Sequence, residues 1–116
     1  MKILIIDDNQ QARQMIIDYV LSEADEFREC EDGAESLSVY AEFQPDLVLM
    51  DWEMKKVNGL TATKNIIAEF PNAKILMVTN FDELDLRQAA KEAGAIGYVR
   101  KENILELRHI LNSKKL

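Results

Sequence analysis

Four short and nearly continuous apolar runs most strongly limit what this chain can fold into. They span residues 3–6, 47–50, 75–78 and 96–99. Each run has the length of a strand, and unbroken hydrophobicity indicates burial on both faces, as in a parallel sheet. A fifth run, residues 27–30, mixes apolar and polar side chains, and we predict that it forms an edge strand with one face in water.

The segments between these runs carry apolar residues at helical spacing. The five stripes are Ala12, Met15, Ile16, Tyr19 and Val20; Ala34, Leu37 and Ala41; Leu60, Ile67 and Phe70; Leu86, Ala89, Ala90 and Ala93; and Ile104, Leu107 and Leu111. Pro45, Gly59, Pro71 and Gly94 stand at the predicted helix ends. Strict alternation of this kind predicts an α/β fold: a flavodoxin-like, doubly wound, five-stranded parallel sheet of order 2-1-3-4-5 with five helices.

The bulk properties narrow the class of protein. A length of 116 residues suits one domain, and with the last helix ending near Leu116 we expect a single domain over residues 1–116. The start has no secretory layout, no apolar run reaches the roughly 20 residues of a membrane span, and Cys30 is the only cysteine, so we expect a cytoplasmic protein without a membrane partner. A net charge of −7 argues against nucleic-acid binding by this domain itself and is compatible with a bound cation.

The residues at the carboxyl ends of the predicted strands are the candidates for function. The first strand is followed by Asp7 and Asp8, the third by Asp51, the fourth by Thr79 and the fifth by Lys101. Ligands of such sheets bind at the carboxyl ends of the strands, beside the point where the strand order reverses. We therefore expect these five residues to meet at one edge of the sheet.

Three carboxylates at one edge repel each other. For unit charges ~5 Å apart and an effective dielectric of ~20, each pair costs about 3 kcal/mol. A divalent cation such as Mg²⁺ would remove the conflict, while Lys101 supplies a fixed positive charge and Thr79 a hydroxyl donor. This combination suits phosphoryl transfer onto one carboxylate. Asp51 stands alone at the centre of the sheet and is the predicted nucleophile, and Asp7 and Asp8 are the predicted metal ligands.

Several short motifs in the right order resemble a known family. They are "DD" at 7–8, "DWEM" at 51–54 followed by "NG" at 58–59, Thr79, and "GYVRK" at 97–101. Together they resemble the receiver domain of two-component response regulators, chemotaxis-regulator-like, with features of the nitrate-response-like subfamily. The resemblance implies phosphotransfer from the phosphohistidine of a histidine kinase or phosphotransfer protein to Asp51. It also implies that Mg²⁺ is held by Asp7, Asp8, Asp51 and the backbone carbonyl of Glu53.

The same resemblance implies a switch. Thr79 and Lys101 would bind the phosphoryl group, and Thr79 and Tyr98 would be the switch residues. Their movement would remodel the face formed by the fourth helix, fifth strand and fifth helix, which would bind a downstream protein or a second copy of the chain. Such a domain catalyses only its own phosphorylation and dephosphorylation and is not an enzyme acting on a free substrate.

The chain departs from the family pattern at several positions. Lys55 stands where the family commonly has Pro, and Asn80 is larger than the usual small residue after the threonine. Glu102 follows Lys101 where Pro is frequent, although that Pro is also missing in the nitrate-response-like subfamily. Without it we expect a trans peptide bond or a locally altered loop. By resemblance, Glu53 and Phe81 tune dephosphorylation, and we expect the bulky Phe81 to hinder water and lengthen the phosphorylated state.

Three alternatives stay open at the level of sequence. The chain could be the N-terminal part of a DNA-binding transcriptional regulator, or a pseudo-receiver that binds partners without phosphate. It could also be a small aspartyl-phosphate hydrolase of the haloacid dehalogenase kind, although that family needs a second Asp two positions after the nucleophile, where Glu53 stands here. A single Asp at a strand end is more often a turn residue, and Asp8 or Asn9 could be only the cap of the first helix.

Overall fold

Strands and helices alternate throughout the computed structural model, which describes residues 1–81 and 83–113. Within these residues the chain forms, in order, β1 (Lys2–Ile6), α1 (Gln10–Tyr19), β2 (Glu26–Cys30), α2 (Ser36–Phe43), β3 (Leu47–Met50), α3 (Gly59–Glu69), β4 (Ile75–Thr79), α4 (Leu84–Glu92), β5 (Gly97–Arg100) and α5 (Ile104–Ser113). Short 3₁₀ turns precede α2 and α5. The predicted helix end near Leu116 lies outside the described residues.

All five strands of the described chain form one parallel sheet in the order β2-β1-β3-β4-β5, which confirms the predicted topology. The continuous apolar runs explain the order, since β1, β3 and β4 occupy the interior of the sheet, where almost every side chain is buried. Their carboxyl ends therefore meet beside the place where the strand order reverses, between β1 and β3.

Two hydrophobic layers cover the sheet, one on each face. On one face, Ile3 and Ile5 of β1 pack with Ile16 of α1 and Leu107 of α5. On the other face, Leu4 and Ile6 pack with residues of α2, α3 and α4, namely Tyr40, Phe43, Ala62, Ile66 and Ala90. The alternation of β1 side chains between the two layers is the period-two geometry of a strand buried on both faces. None of the described helices combines the length and hydrophobicity needed to span a membrane.

The exposed side chains correct the predicted pattern in α2, β2 and α1. In the predicted stripe of the second helix Ala34 and Ala41 are exposed, and α2 buries Ser36, Tyr40 and Phe43 instead. β2 is an edge strand, but Phe27 is 42% exposed and only Cys30 at its end is buried, so the expected division into one wet and one dry face is wrong. Phe27 and Cys30 lie on opposite faces because they are an odd number of residues apart. Ile16 of α1 and Val20, the residue that caps its end, reach the core, whereas Met15 and Tyr19 of the predicted stripe are exposed to solvent.

The ends of the elements mostly follow the sequence signals. Gly94 comes directly after the cap of α4 with φ +106°, a left-handed conformation that glycine adopts without strain, and it confirms the predicted helix end. Gln44 ends α2 with φ 51°, immediately before Pro45. The fifth strand begins at Gly97 rather than at Ile96, which is 47% exposed.

Candidate functional site

Three acidic side chains converge at the carboxyl edge of the sheet. Asp7 and Asp8 follow β1, Asp51 follows β3, and one oxygen of each carboxylate lies within 4.8 Å of the others. Asp7 and Asp51 are almost completely buried, while Asp8 is partly exposed. The convergence expected from the strand order is therefore present, and oxygen ligands at this separation suit a small divalent cation.

Lys101, which follows β5, brings a positive charge to the acidic cluster. It begins the 3₁₀ turn after β5, and its ammonium lies 2.8 Å from Asp7 Oδ2 and 3.4 Å from Asp51 Oδ1. The described chain contains no cis peptide bond, so the Lys101–Glu102 bond is trans, as expected for a bond without proline. One positive charge thus partly compensates two buried negative charges.

The electrostatics of the cluster show that this compensation is incomplete. Burial and the neighbouring charge of Asp7 raise the pKa of Asp51 to about 6, against the opposing effect of Lys101. Burial alone would lower the pKa of Lys101, but its hydrogen bond to Asp7 and the charges of Asp7 and Asp51 raise it overall. Lys101 therefore does not fully offset the burial of Asp51 and the charge of Asp7, and a second positive charge would favour the ionised form of Asp51.

Thr79, the last residue of β4, presents an unsatisfied hydroxyl group. It is 0% exposed, and its Oγ1 has no hydrogen-bond partner among the described residues. A buried polar group without a partner costs about 1–3 kcal/mol. Thr79 lines the same cleft as Asp51, of about 550 Å³, together with Asp8, Asn9, Glu53, Met54, Lys55, Asn80, Phe81 and Lys101. An anionic oxygen bound in this cleft is a natural acceptor for the hydroxyl.

The turn after Asp51 depends on a glycine. Gly59 N donates to Trp52 O at 2.7 Å, and a Cβ atom at Gly59 would lie only 2.0 Å from Asp51 O. Asn58 caps α3 by accepting a hydrogen bond from Thr61 N. The "NG" pair thus lets α3 begin in direct contact with the backbone of Asp51. That backbone is itself held to β1, because Asp51 N donates to Ile6 O at 2.9 Å.

Tyr98 links β5 to the loop that follows Thr79. Its hydroxyl donates to Phe81 O at 2.7 Å, and the guanidinium of Arg87 on α4 lies 4.9 Å from the centre of its ring. Tyr98 is half-buried. The predicted switch aromatic is therefore connected to the segment two residues beyond Thr79. Its role as a switch, like the predicted metal contact of the Glu53 carbonyl, stays a prediction.

Two residues beside the acidic cluster were not predicted as part of the site: Asn9 was expected only as a possible helix cap, and Arg13 was not singled out. Asn9 is the cap of α1, as one alternative allowed, and its backbone N–H also donates to Asp7 Oδ1 at 2.9 Å. Arg13 is buried on α1, where its Nη1 donates to Asp7 O at 2.5 Å and its Nε to Glu29 Oε1 at 2.9 Å. A charged residue beside a helical apolar stripe ordinarily indicates a solvated face, so the sequence carried no signal for this burial.

Fold and site together define a class of protein: a doubly wound α/β domain with an acidic cluster, a threonine and a lysine at the switch point of its sheet. Residues 3–112 match the family described as response regulator receiver domain. The chain therefore belongs to the response regulator receiver family, whose members are signalling modules rather than enzymes that turn over a free substrate.

Known proteins resemble the chain over most of its length. The transcriptional regulatory protein DegU of Brevibacillus brevis is 35% identical over 104 residues, covering 87% of this chain and 44% of that protein. The chemotaxis protein CheY of Halobacterium salinarum is 33% identical over 100 residues, covering 86% of this chain and 83% of that protein. A LuxR-family two-component response regulator from an Aurantimonas strain superimposes with a TM-score of 0.87 at 29% identity, covering 97% of this chain and 82% of that one. The chain spans about half the length of the first transcriptional regulators it matches.

Proposed function

We propose that this chain is a Mg²⁺-dependent phosphoacceptor that receives a phosphoryl group on Asp51 from the phosphohistidine of a histidine kinase or phosphotransfer protein. The observation that carries the proposal is the convergence of carboxylate oxygens of Asp7, Asp8 and Asp51 within 4.8 Å of one another. Lys101 forms ion pairs with Asp7 and Asp51. Membership of the receiver family supports the same chemistry.

The donor set fits a magnesium ion. Asp7, Asp8 and Asp51 would hold it through carboxylate oxygens, with the backbone carbonyl of Glu53 as a further ligand, and the buried Asp51 is short of positive charge without it. When bound, the ion would neutralise the acids and a phosphoryl oxygen. In the transfer, a carboxylate oxygen of Asp51 forms a bond to phosphorus as the phosphorus–nitrogen bond of the phosphohistidine breaks. The imidazole nitrogen keeps the electron pair and takes a proton from solvent.

Lys101 and Thr79 would bind the transferred group. The Lys101 ammonium already lies 3.4 Å from Asp51 Oδ1, within reach of a phosphoryl oxygen attached to that carboxylate. The hydroxyl of Thr79 is buried without a partner and would gain one. Movement of Thr79 would displace Phe81, two residues further along the chain. It would thereby also displace Tyr98, whose hydroxyl donates a hydrogen bond to Phe81 O. The face formed by α4, β5 and α5 would then bind a downstream protein or a second copy of the chain in the cytoplasm.

A test of the proposal uses Trp52, which follows Asp51 directly. Its fluorescence is followed while Mg²⁺ is added, and then while beryllofluoride, a mimic of the phosphoryl group, is added. Wild type is expected to respond to both additions, and Asp51→Asn to lose the second response. Asp18→Asn, an equivalent change at an exposed position of α1, is the control and should behave as wild type. A wild-type protein that binds Mg²⁺ but ignores beryllofluoride and small phosphodonors would instead be a pseudo-receiver.

A second candidate concerns the extent of the protein. We propose that residues 1–116 hold one receiver domain; the alternative function is that of the receiver portion of a DNA-binding transcriptional regulator. The alternative is supported by the curated regulators, of which the chain spans 44% and 48%. The length of the native gene product, measured as the intact mass of the protein isolated from its own cells, separates the two.

A further inference from the structure

Arg13 is a buried cation that the proposed phosphotransfer does not use. It lies on α1 and is only 9% exposed, although burying a charge is costly unless its donors are paired. Two of its donors are accounted for: Nε forms an ion pair with Glu29 Oε1 on β2 at 2.9 Å, and Nη1 donates to Asp7 O at 2.5 Å. Arg13 therefore joins the edge strand to the first acid of the cluster.

The acceptor of the second bond is the carbonyl of the peptide that connects Asp7 to Asp8. Because a peptide group is planar, fixing its carbonyl also fixes the amide and the Cα atom of Asp8, from which the Asp8 side chain leaves the backbone. The other polar groups of Asp7 are held independently. Asp7 N donates to Cys30 O at 3.0 Å, Oδ1 accepts from Asn9 N at 2.9 Å, and Oδ2 contacts Lys101 at 2.8 Å. Arg13 supplies the hydrogen bond to the remaining polar group of Asp7, its backbone carbonyl oxygen.

We infer that Arg13 is a positioning residue for the metal site: it holds the Asp7–Asp8 peptide so that both carboxylates face one cation, and Glu29 holds Arg13 in turn. The inference rests on the proposed function, since it concerns the same metal site. Arg13 contacts no carboxylate of the cluster in the bonds described, so its effect passes through the backbone. Groups that orient metal ligands in this way affect metal affinity strongly when they are removed.

The test measures the Mg²⁺ dissociation constant from Trp52 fluorescence, well below the unfolding temperature, in four variants. Arg13→Gln is expected to weaken Mg²⁺ binding about 10-fold, and Glu29→Gln by a smaller factor, because the guanidinium keeps its bond to Asp7. Arg13→Lys retains the charge but cannot reproduce both bonds, so it should recover only part of the affinity. The matched control is Arg28→Gln on β2, the strand that carries Glu29. It removes an exposed ion pair with Glu42 of α2 and should bind Mg²⁺ as wild type does.

A purely structural role would lower the unfolding temperature in EDTA without changing the affinity of the folded protein for Mg²⁺. The chemical shift of the Asp8 amide in the metal-free protein gives a second readout, expected to move in Arg13→Gln and not in Arg28→Gln. Wild-type affinity in a folded Arg13→Gln, or full recovery in Arg13→Lys, would overturn the inference. If Arg13→Gln does not fold, wild-type affinity in both Glu29→Gln and Arg13→Lys would overturn it. A wild-type chain that does not bind Mg²⁺ would overturn the proposed function as well.

Discussion

Thr79 is the residue at which function and stability conflict most directly. Its hydroxyl is completely buried and unpaired among the described residues, so the folded chain bears the cost of desolvating it. A hydroxyl in this state is ready to bind an anionic oxygen without first breaking another hydrogen bond. An unpaired buried hydroxyl is what a preorganised anion site requires, and it supports the role proposed for Thr79.

Replacing Thr79 with Val should therefore stabilise the unphosphorylated protein and impair its response. Val keeps the shape and removes the hydroxyl, so we expect the free energy of unfolding to rise by about 1 kcal/mol and the fluorescence response to beryllofluoride to weaken. Urea unfolding and the Trp52 titration measure the two effects. The matched control is Thr63→Val, also at 0% exposure, which should leave the beryllofluoride response unchanged. Equal responses in wild type and Thr79→Val would contradict the assigned role.

Phe81 lines the cleft beside Asp51, where its side chain can limit the approach of water. We expect Phe81→Ala to shorten the lifetime of the phosphorylated state roughly threefold, which corresponds to about 0.7 kcal/mol of barrier. Loss of the phosphoryl group after removal of excess phosphodonor is the measurement. The backbone carbonyl that accepts from Tyr98 remains in this variant. A hydrolysis rate equal to that of wild type would refute the proposed shielding.

Among the elements, α3 can begin beside Asp51 only because its first residue is a glycine. Gly59 touches the backbone of Asp51 so closely that a Cβ atom would lie 2.0 Å from Asp51 O. We expect Gly59→Ala to reduce the free energy of unfolding by about 2–3 kcal/mol, because the helix must move away from the acid or the turn must distort. The urea midpoint measures the loss, and Mg²⁺ affinity should fall with it. Gly97→Ala is the comparison, since its Cβ atom would meet only the movable end of Leu76, at 2.7 Å.

The elements differ in how far the sequence could predict them. The runs of β1, β3 and β4 were unambiguous because burial on both faces leaves only apolar residues. β2 was correctly predicted to be an edge strand, but the positions of its apolar residues Phe27 and Cys30 did not indicate which of its side chains are buried. In α1, Met15 and Tyr19 belong to the same stripe as Ile16 and Val20, and only the contacts with β1 and α5 decide which of them enter the core.

At the scale of the whole molecule, the buried acids make stability depend on pH. In the metal-free protein burial raises the pKa of Asp51 from 3.8 to about 6. Below pH 3.8 the folded and unfolded chains both hold this proton; between 3.8 and about 6 the unfolded chain releases it first, so the free energy of unfolding falls as pH rises. This contribution is destabilising at neutral pH and absent in strong acid.

Asp51→Asn should consequently be more stable than wild type in EDTA at pH 7.5, by about 1–2 kcal/mol after allowance for solvent screening, and the difference should vanish near pH 4. Urea unfolding across this range is the measurement. Saturating Mg²⁺ should reverse the order at pH 7.5, because it binds the intact acidic cluster more tightly than the variant, which keeps only Asp7 and Asp8. At 100 times the wild-type dissociation constant, Mg²⁺ stabilises wild type by about 2.7 kcal/mol. NaCl at matched ionic strength is the control. A difference between the two proteins that does not change with pH would argue against a raised pKa for Asp51.

The sequence alone determined the layout of this protein, because buried parallel strands require continuous apolar runs and the strand ends fix which residues can meet. Asp7, Asp8, Asp51, Thr79 and Lys101 could therefore be placed at one edge before any distance was known. Only the tertiary structure decided how these residues are held: the ion pairs of Lys101, the unpaired hydroxyl of Thr79 and the buried bond from Arg13 to Asp7. Such contacts join residues whose separation in sequence says nothing about their distance, and they depend on burial, which pattern alone does not reveal.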